Sequence, residues 1–366
     1  MKKTVKKISK ILSVVLVLMM LLTVVSSALT AEDATKSLAE WLKNNTSISD
    51  AGSEIDSSVD WSVFALARSG YRDLNEDYKT YIKKAVTENF EDMYLSDYAR
   101  ISLAAMSVGL DPADIGGKDL IDAICKTDFS KEMFTGSISY ALIAIDAAES
   151  DNDSARSALK KAIIGAQRQD GGFNTYISVD PLNPYSSDSD ADNTGIALQA
   201  LAPYKNEDDV KIAVNKAVEY IKANQCDDGG FGYFGSTSAE SISMIMCGLI
   251  AVGIDPMTVT KDGKNMLDAL LTFVNTDGGG YYSDWMTGAK VSNALTTYEM
   301  LQALNAKYRF DNKRVGLYDM SCLLPDCNSV AHSALLSRIP ALGRFLDKII
   351  VALQGIFGFN YVSCLA

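Results

Sequence analysis

The sequence predicts an all-α fold built from six helical hairpins. Three aspartate–glycine turns recur: QRQDGGF at Gln167–Phe173, QCDDGGF at Gln225–Phe231 and NTDGGGYY at Asn275–Tyr282, each between two helix-like stretches. Along the chain a polar, amphipathic stretch is followed by an apolar, small-residue stretch, and this alternation occurs six times. Asp bonds its own backbone and Gly accepts positive φ, so each turn reverses the chain. Recurrence of one supersecondary unit marks a repeat architecture rather than a mixed sheet fold.

The first element is a leader. Lys2, Lys3, Lys6, Lys7 and Lys10 precede the apolar run Ile11–Val25, and small residues follow from Ser26 to Ala31. That order matches a secretory signal peptide over residues 1–31, with cleavage after Ala28 or Ala31. The other reading is an uncleaved N-terminal anchor, although the run is short of the roughly 20 residues a spanning helix uses. Either way the remainder is secreted or held at the extracytoplasmic cell surface. The whole chain carries a net charge of −12; the leader holds five lysines and no acid, so without it the charge is −17. Such a surface repels nucleic acid and suits neutral or cationic partners.

The repeat follows, over residues 32–306. The first members of the six pairs are Thr35–Asn44, Glu76–Asn89, Lys118–Lys126, Asp153–Gln167, Glu207–Asn224 and Lys261–Phe273. The second members are Val59–Ser69, Ser96–Gly109, Ser137–Ala148, Asp192–Leu201, Ala239–Gly253 and Val291–Asn305. A helix apolar on most sides is buried, whereas one with a single polar face lies outside. The second members therefore form an inner layer and the first an outer one. GLDP at Gly109–Pro112 and GIDP at Gly253–Pro256 end two inner helices alike, with Gly as the stop and Pro barring continuation. An open solenoid needs capping repeats at its ends; six pairs permit closure instead.

These phrases resemble the glutamine/tryptophan repeats of the α/α-toroid superfamily. That superfamily includes triterpene cyclases, protein prenyltransferase β-subunits and corrinoid-carrying vitamin B12 binders. Phe173, Phe231 and Tyr281 stand where the repeat usually has an aromatic. The resemblance spans about Thr35 to Ala306 and implies an α/α-toroid. It leaves function open, because one fold hosts unrelated activities.

Aligned on DWSVFAL, DYARISL, GSISYAL, DNTGIAL, ESISMIM and NALTTYE, the second members place Asp60, Asp97, Asp192 and Glu240 at one level, with Asn293 in the sixth unit. Two readings stand. Acids and Asn cap helix N-termini, or they face a ligand across a central space. Trp61, Phe64, Tyr98, Tyr140 and Tyr298 are the aromatic candidates, either as core residues or as a lining for a carbon-rich ligand.

Class II triterpene cyclases protonate their substrate with a D-x-D-D-T phrase, which Asp190-Ala191-Asp192-Asn193-Thr194 resembles. The resemblance makes Asp192 the proton donor and Asp190 its neighbour. Asn193 replaces one carboxylate, which weakens the mutual pKa elevation that such acids use. A prenyltransferase-type zinc site needs an inner His, whereas the sole histidine, His332, lies beyond the repeat. As an EF-hand the acidic loop fails at its glycine and final glutamate positions, leaving a looser calcium site at Asp188, Asp190 and Asp192 as an alternative.

Six cysteines complete the reading. Cys125 and Cys247 fall in apolar helical runs as buried thiols, while Cys322 and Cys327 flank LLPD and suit a local loop, with Cys364 able to pair with either. Residues 307–366 form a C-terminal appendix whose apolar part, Ala334–Phe357, is broken by Arg338, Pro340, Arg344, Asp347 and Lys348. Those charges disfavour a spanning helix and suit an amphipathic one, packed on the repeat or lying on a membrane surface.

The functional expectation is non-catalytic binding of a small apolar or cofactor-like molecule, or of a cell-surface polypeptide. The expected ligand-binding residues are Asp60, Trp61, Asp97, Tyr98, Tyr140, Asp192, Glu240 and Tyr298. No cofactor or metal is assigned; the resemblance admits a corrinoid. The opposed expectation is an isoprenoid cyclase or isomerase using Asp192 and Asp190.

Overall fold

The computed structural model describes residues 29–233, 236–283 and 287–323. Residues 1–28 of the leader, His332, Cys327, Cys364 and the amphipathic stretch of the appendix lie outside the described residues. The described chain is predominantly α-helical with repeated helix-on-helix packing. Six helices bury one face or stripe: α1 Ala31–Asn45, α4 Asn75–Asn89, α6 Leu120–Lys126, α8 Asp153–Gly165, α10 Asp208–Ala223 and α12 Met266–Leu271. Six alternate with them: α3 Ser57–Arg68, α5 Leu95–Ser107, α7 Thr135–Ala147, α9 Ala191–Leu201, α11 Ala239–Val252 and α13 Ala294–Asp311. A single extra turn, α2 Ile48–Ala51, follows α1.

The division into two series follows from pattern. In α10 the buried residues Val210, Ala213, Val214, Ala217, Val218 and Ile221 recur at helical spacing on one side. In α11, by contrast, burial runs unbroken from Ser241 to Leu249. Starts are set by side-chain caps: Thr30, Asp56, Asn152, Asp190, Ser238 and Asn293 each accept a hydrogen bond from a backbone N–H of the first turn. Gly109 and Gly253 take positive φ at the ends of α5 and α11, and the next residue returns its N–H to Ala105 or Leu249.

The sixth pair departs most from the sequence expectation. The sixth outer stretch was expected to be helical from Lys261, but Thr260–Lys261 (β3) pairs with Lys264–Asn265 (β4). Asp262 and Gly263 between them both have positive φ, at 52° and 77°. That is the two-residue Asp-Gly hairpin turn, and it delays α12. The sixth inner helix was expected from Val291; instead Lys290–Ser292 (β6) pairs with Tyr281–Ser283 (β5), and α13 runs on to Asp311. A third ribbon, Gly232–Tyr233 (β1) with Ser236–Thr237 (β2), follows the second aspartate–glycine turn.

The three turns are built alike. Gly171, Gly229 and Gly278 have φ near +90°. Asp170, Asp228 and Asp277 each accept from the N–H two residues on and from one hydroxyl, of Ser189, Thr237 or Ser292. Each turn also presses on the next flanking segment. A Cβ at Gly171 would lie 2.5 Å from the Lys216 carbonyl oxygen, at Gly229 2.8 Å from that of Asn265, and at Gly278 2.8 Å from Ser37 Oγ of α1. The Gln167 side chain ties its turn to α10 by donating to Gly171 O and Ala213 O, and Gln225 repeats this with Gly229 O and Val259 O. Phe173, Phe231 and Tyr281 are buried behind the turns.

Neighbouring core helices pack in order from α3 to α13, and α13 packs on both α1 and α3. Beneath their C-terminal ends, residues 312–323 are held by two buried arginines. Arg68 donates to the carbonyls of Gly316, Leu317, Asp319 and Cys322, and Arg309 to those of Arg68 and Val315. Cys322 is disulfide-bonded, while Cys125, Cys226 and Cys247 are free. No described helix is long and apolar enough to cross a membrane.

Candidate functional site

The acidic residues expected at one level occupy different positions in their helices. Asn293 is itself an N-cap. Asp192 and Glu240 both lie two residues after their caps, Asp190 and Ser238. Asp97 lies three residues after Tyr94 and accepts that residue's N–H at 2.9 Å, and Asp60 lies four residues after Asp56. One turn of helix is 3.6 residues, so these offsets point the side chains in different directions.

Asp60 and Asp97 are engaged by structural partners. Asp60 is fully buried and accepts from Arg100 Nε and the Tyr78 hydroxyl, both at 2.8 Å. Arg100 also binds Asp97 at 2.7 Å. Burial alone would lower the Arg100 pKa, but the two carboxylates outweigh it and raise it. Tyr98 gives its hydroxyl to Phe90 O at 2.8 Å and lies edge-on to the Phe90 ring. Asp190 is spent on capping: its oxygens accept from the N–H groups of Asn193 and Thr175 and from the Asn193 amide. Thus the residue that departs from the cyclase phrase, Asn193, holds Asp190 in place.

The remaining candidates converge. Asp192 on α9, Glu240 on α11 and Glu299 on α13 lie within one another's electrostatic reach. The hydroxyls of Ser241 and Tyr233 reach the Asp192 carboxyl group, yet its Oδ1 is shut from solvent and accepts no hydrogen bond. Glu240 accepts a short bond from the Thr296 hydroxyl. Glu299 Oε2 is likewise enclosed and unpartnered. Burial, with Asp190 and Glu240 adding, pushes the Asp192 carboxyl up to about 6. Burial pushes Glu299 well above the ordinary carboxylate range, and Asp192 and Glu240 reinforce the shift. A carboxylate avoids charge when it is desolvated beside like charges.

Aromatic rings complete the surroundings. Trp61 packs on Tyr140 at 5.0 Å and on Phe64 at 5.6 Å, and Tyr318 stacks on Phe64 at 5.3 Å. The Tyr140 hydroxyl meets that of Tyr318 and lies 3.9 Å from Met244 Sδ. Tyr298 is within the field of Glu299, Tyr140 and Glu240. Two cavities of about 560 and 600 Å³ lie at the opposite, C-terminal ends of the core helices, on either side of Met320 and Ser321. Neither is lined by the acidic trio.

The structure therefore joins Trp61, Tyr140, Asp192, Glu240 and Tyr298, and sets Asp60, Asp97 and Tyr98 apart in packing roles. It adds Glu299, Tyr233 and Tyr318. The sequence signal for Glu299 was a charged residue inside the otherwise uncharged stretch ALTTYEML. Among the described residues, no group of three acidic, histidine or cysteine side chains is arranged to hold a metal ion. No protein-family model matches the chain, and no curated protein matches it.

Proposed function

We propose that the chain is an exported α/α-toroid of six hairpins whose inner face binds a small molecule without transforming it. Closure is supported by the packing of α13 on α3 and by the third aspartate–glycine turn, which presses on α1 as the earlier turns press on their successors. Binding is supported above all by the enclosed, unpartnered oxygens of Asp192 and Glu299. A buried acceptor left unmade costs about 1–3 kcal/mol, so a protein that keeps two of them beside aromatic rings is suited to a ligand that pairs them. Export rests on the leader at residues 1–31, and the charge of −17 without it disfavours nucleic acid. A corrinoid is one candidate ligand by resemblance, and a cell-surface polypeptide is the other class of partner. The appendix beyond 323 is proposed for peripheral contact with a membrane or with the toroid. Native mass spectrometry of protein purified from its own host tests the reading. A reproducible bound small molecule supports it, and a bare chain at every preparation opposes it.

A second reading is favoured by one observation, the burial of the Asp192 carboxyl beside Asp190 and Glu240, which pushes its pKa up to about 6. The upward shift keeps a larger share of the acid form near neutrality than an ordinary carboxyl has, and an isoprenoid cyclase or isomerase needs such a donor. Asp190 would raise its acidity threshold and Tyr140 would face the developing cation. Asp192→Asn should then abolish turnover of a polyprenyl substrate while ligand affinity survives; unchanged turnover removes this mechanism.

A further inference from the structure

We propose that the acidic trio takes an organic cation: an ammonium group lies among the Asp192, Glu240 and Glu299 carboxyl groups, with its carbon substituents against Trp61, Tyr140 and Tyr298. This rests on the binding function proposed above and names the ligand's chemistry.

Three features point to a cation. The carboxyl groups come from three successive core helices, and two of them present enclosed oxygens with no donor. Among the described residues, the cation whose field is felt here is Arg100, acting on Tyr298, and Arg100 is already committed to Asp60 and Asp97. The surroundings otherwise offer electron-rich faces and acids: Asp190, Tyr233 and Tyr220 around Asp192, and Tyr140, Tyr298, Tyr318 and Cys247 around Glu299. Aromatic rings attract cations through their faces, most strongly when water is excluded.

The arrangement of the carboxyl groups favours an organic cation over a metal ion. A calcium or magnesium ion needs oxygens converging at about 2.0–2.6 Å from one point. The trio is not arranged that way. An ammonium group carries its charge over a larger volume and pairs with carboxylates through separate contacts. Its arrival also restores the charge that burial suppresses, so Asp192 and Glu299 release protons as the cation enters.

Two calorimetric titrations of the full chain test this, with choline and with its neutral carbon isostere 3,3-dimethylbutan-1-ol. The apolar dye 1-anilinonaphthalene-8-sulfonate reports binding of any kind. The expected result is that choline binds and the isostere does not. Choline affinity should rise about tenfold between pH 5 and pH 8 as the acids ionise, with proton release seen in buffers of different ionisation heat. Glu299→Gln and Asp192→Asn should each weaken choline about tenfold or more, since each removes one carboxylate. Both replacements are neutral and nearly isosteric, so folding is retained. Equal binding of choline and isostere, or dye binding alone, overturns the cation while leaving the binding function standing. Choline preference unaffected by either variant places the cation elsewhere and also overturns the proposal. Failure of all three probes overturns the binding function together with this inference.

Discussion

Arg100 Nε lies 2.8 Å from Asp60 Oδ2, deep between two neighbouring core helices. The pair explains why Asp60, an inner acid, is a packing element. Removing Arg100 alone would strand the Asp60 charge in the core. Breaking a buried pair in this way costs about 3–5 kcal/mol. Arg100→Met should show that loss in urea unfolding, and adding Asp60→Asn should recover a large part of it. A loss from Arg100→Met no larger than that of a surface arginine would contradict the assignment.

Asp192 carries the opposite sign of effect. Its folded pKa is about 6 against an ordinary 3.8. The folded state therefore binds the proton more tightly than the unfolded chain. Protonated Asp192 is stabilising relative to the charged form, and that advantage is lost as pH rises from about 4 to about 6. The difference of about two pKa units corresponds to about 3 kcal/mol at most. Asp192→Asn should leave stability unchanged near pH 3, raise it by about 2–3 kcal/mol near pH 8, and flatten the curve between. Denaturant midpoints measured across pH decide this.

Gly195 and Gly248 let α9 and α11 meet backbone to backbone. A Cβ on Gly195 would lie 2.3 Å from the Met244 carbonyl, and one on Gly248 2.7 Å from Gly195 O. Ala normally gains about 1 kcal/mol over Gly inside a helix. Here overpacking should outweigh that gain, so Gly195→Ala is expected to destabilise by about 2 kcal/mol or more. Gly165→Ala, where no atom lies within 4 Å, is the control and should be neutral or stabilising. Equal melting shifts for the two would show that the helices are not in such close contact.

Arg68 gathers the 316–322 segment by donating to four of its carbonyls. A lysine has one ammonium and cannot span them. Arg68→Lys should therefore behave nearly as badly as Arg68→Met, with faster amide exchange in 315–323 and loss of the Tyr318 stack on Phe64. Full protection of that segment in Arg68→Lys would refute the clamp.

The proposed closure has its own test at Trp41. Its Nε1 donates to Asp277 at 3.3 Å, and its ring crowds Gly279. Trp41→Ala should cost about 2 kcal/mol, less than a fully buried tryptophan because the ring is partly exposed. It should also raise exchange together in 31–45 and 275–283. A rise confined to 31–45 would mean that the two ends fold independently.

The sequence by itself determined the alternating helices, the three aspartate–glycine turns and the stops at Gly109 and Gly253. These depend on local periodicity, on side chains bonding their own backbone and on positive φ, all written within a few residues. It also placed Asp192 and Glu240 at matching positions beside their caps. Tertiary structure alone decided which carboxyl groups would have counter-ions. Arg100 meets Asp60 from forty residues away, Asp97 is drawn into the same pair, and Glu299 Oε2 is left without a donor in the field of Asp192. The physical reason is rotational phase. An offset of one or two residues between helix caps swings a side chain through a large part of a turn, and pattern matching cannot measure that swing until the neighbouring helix is in place.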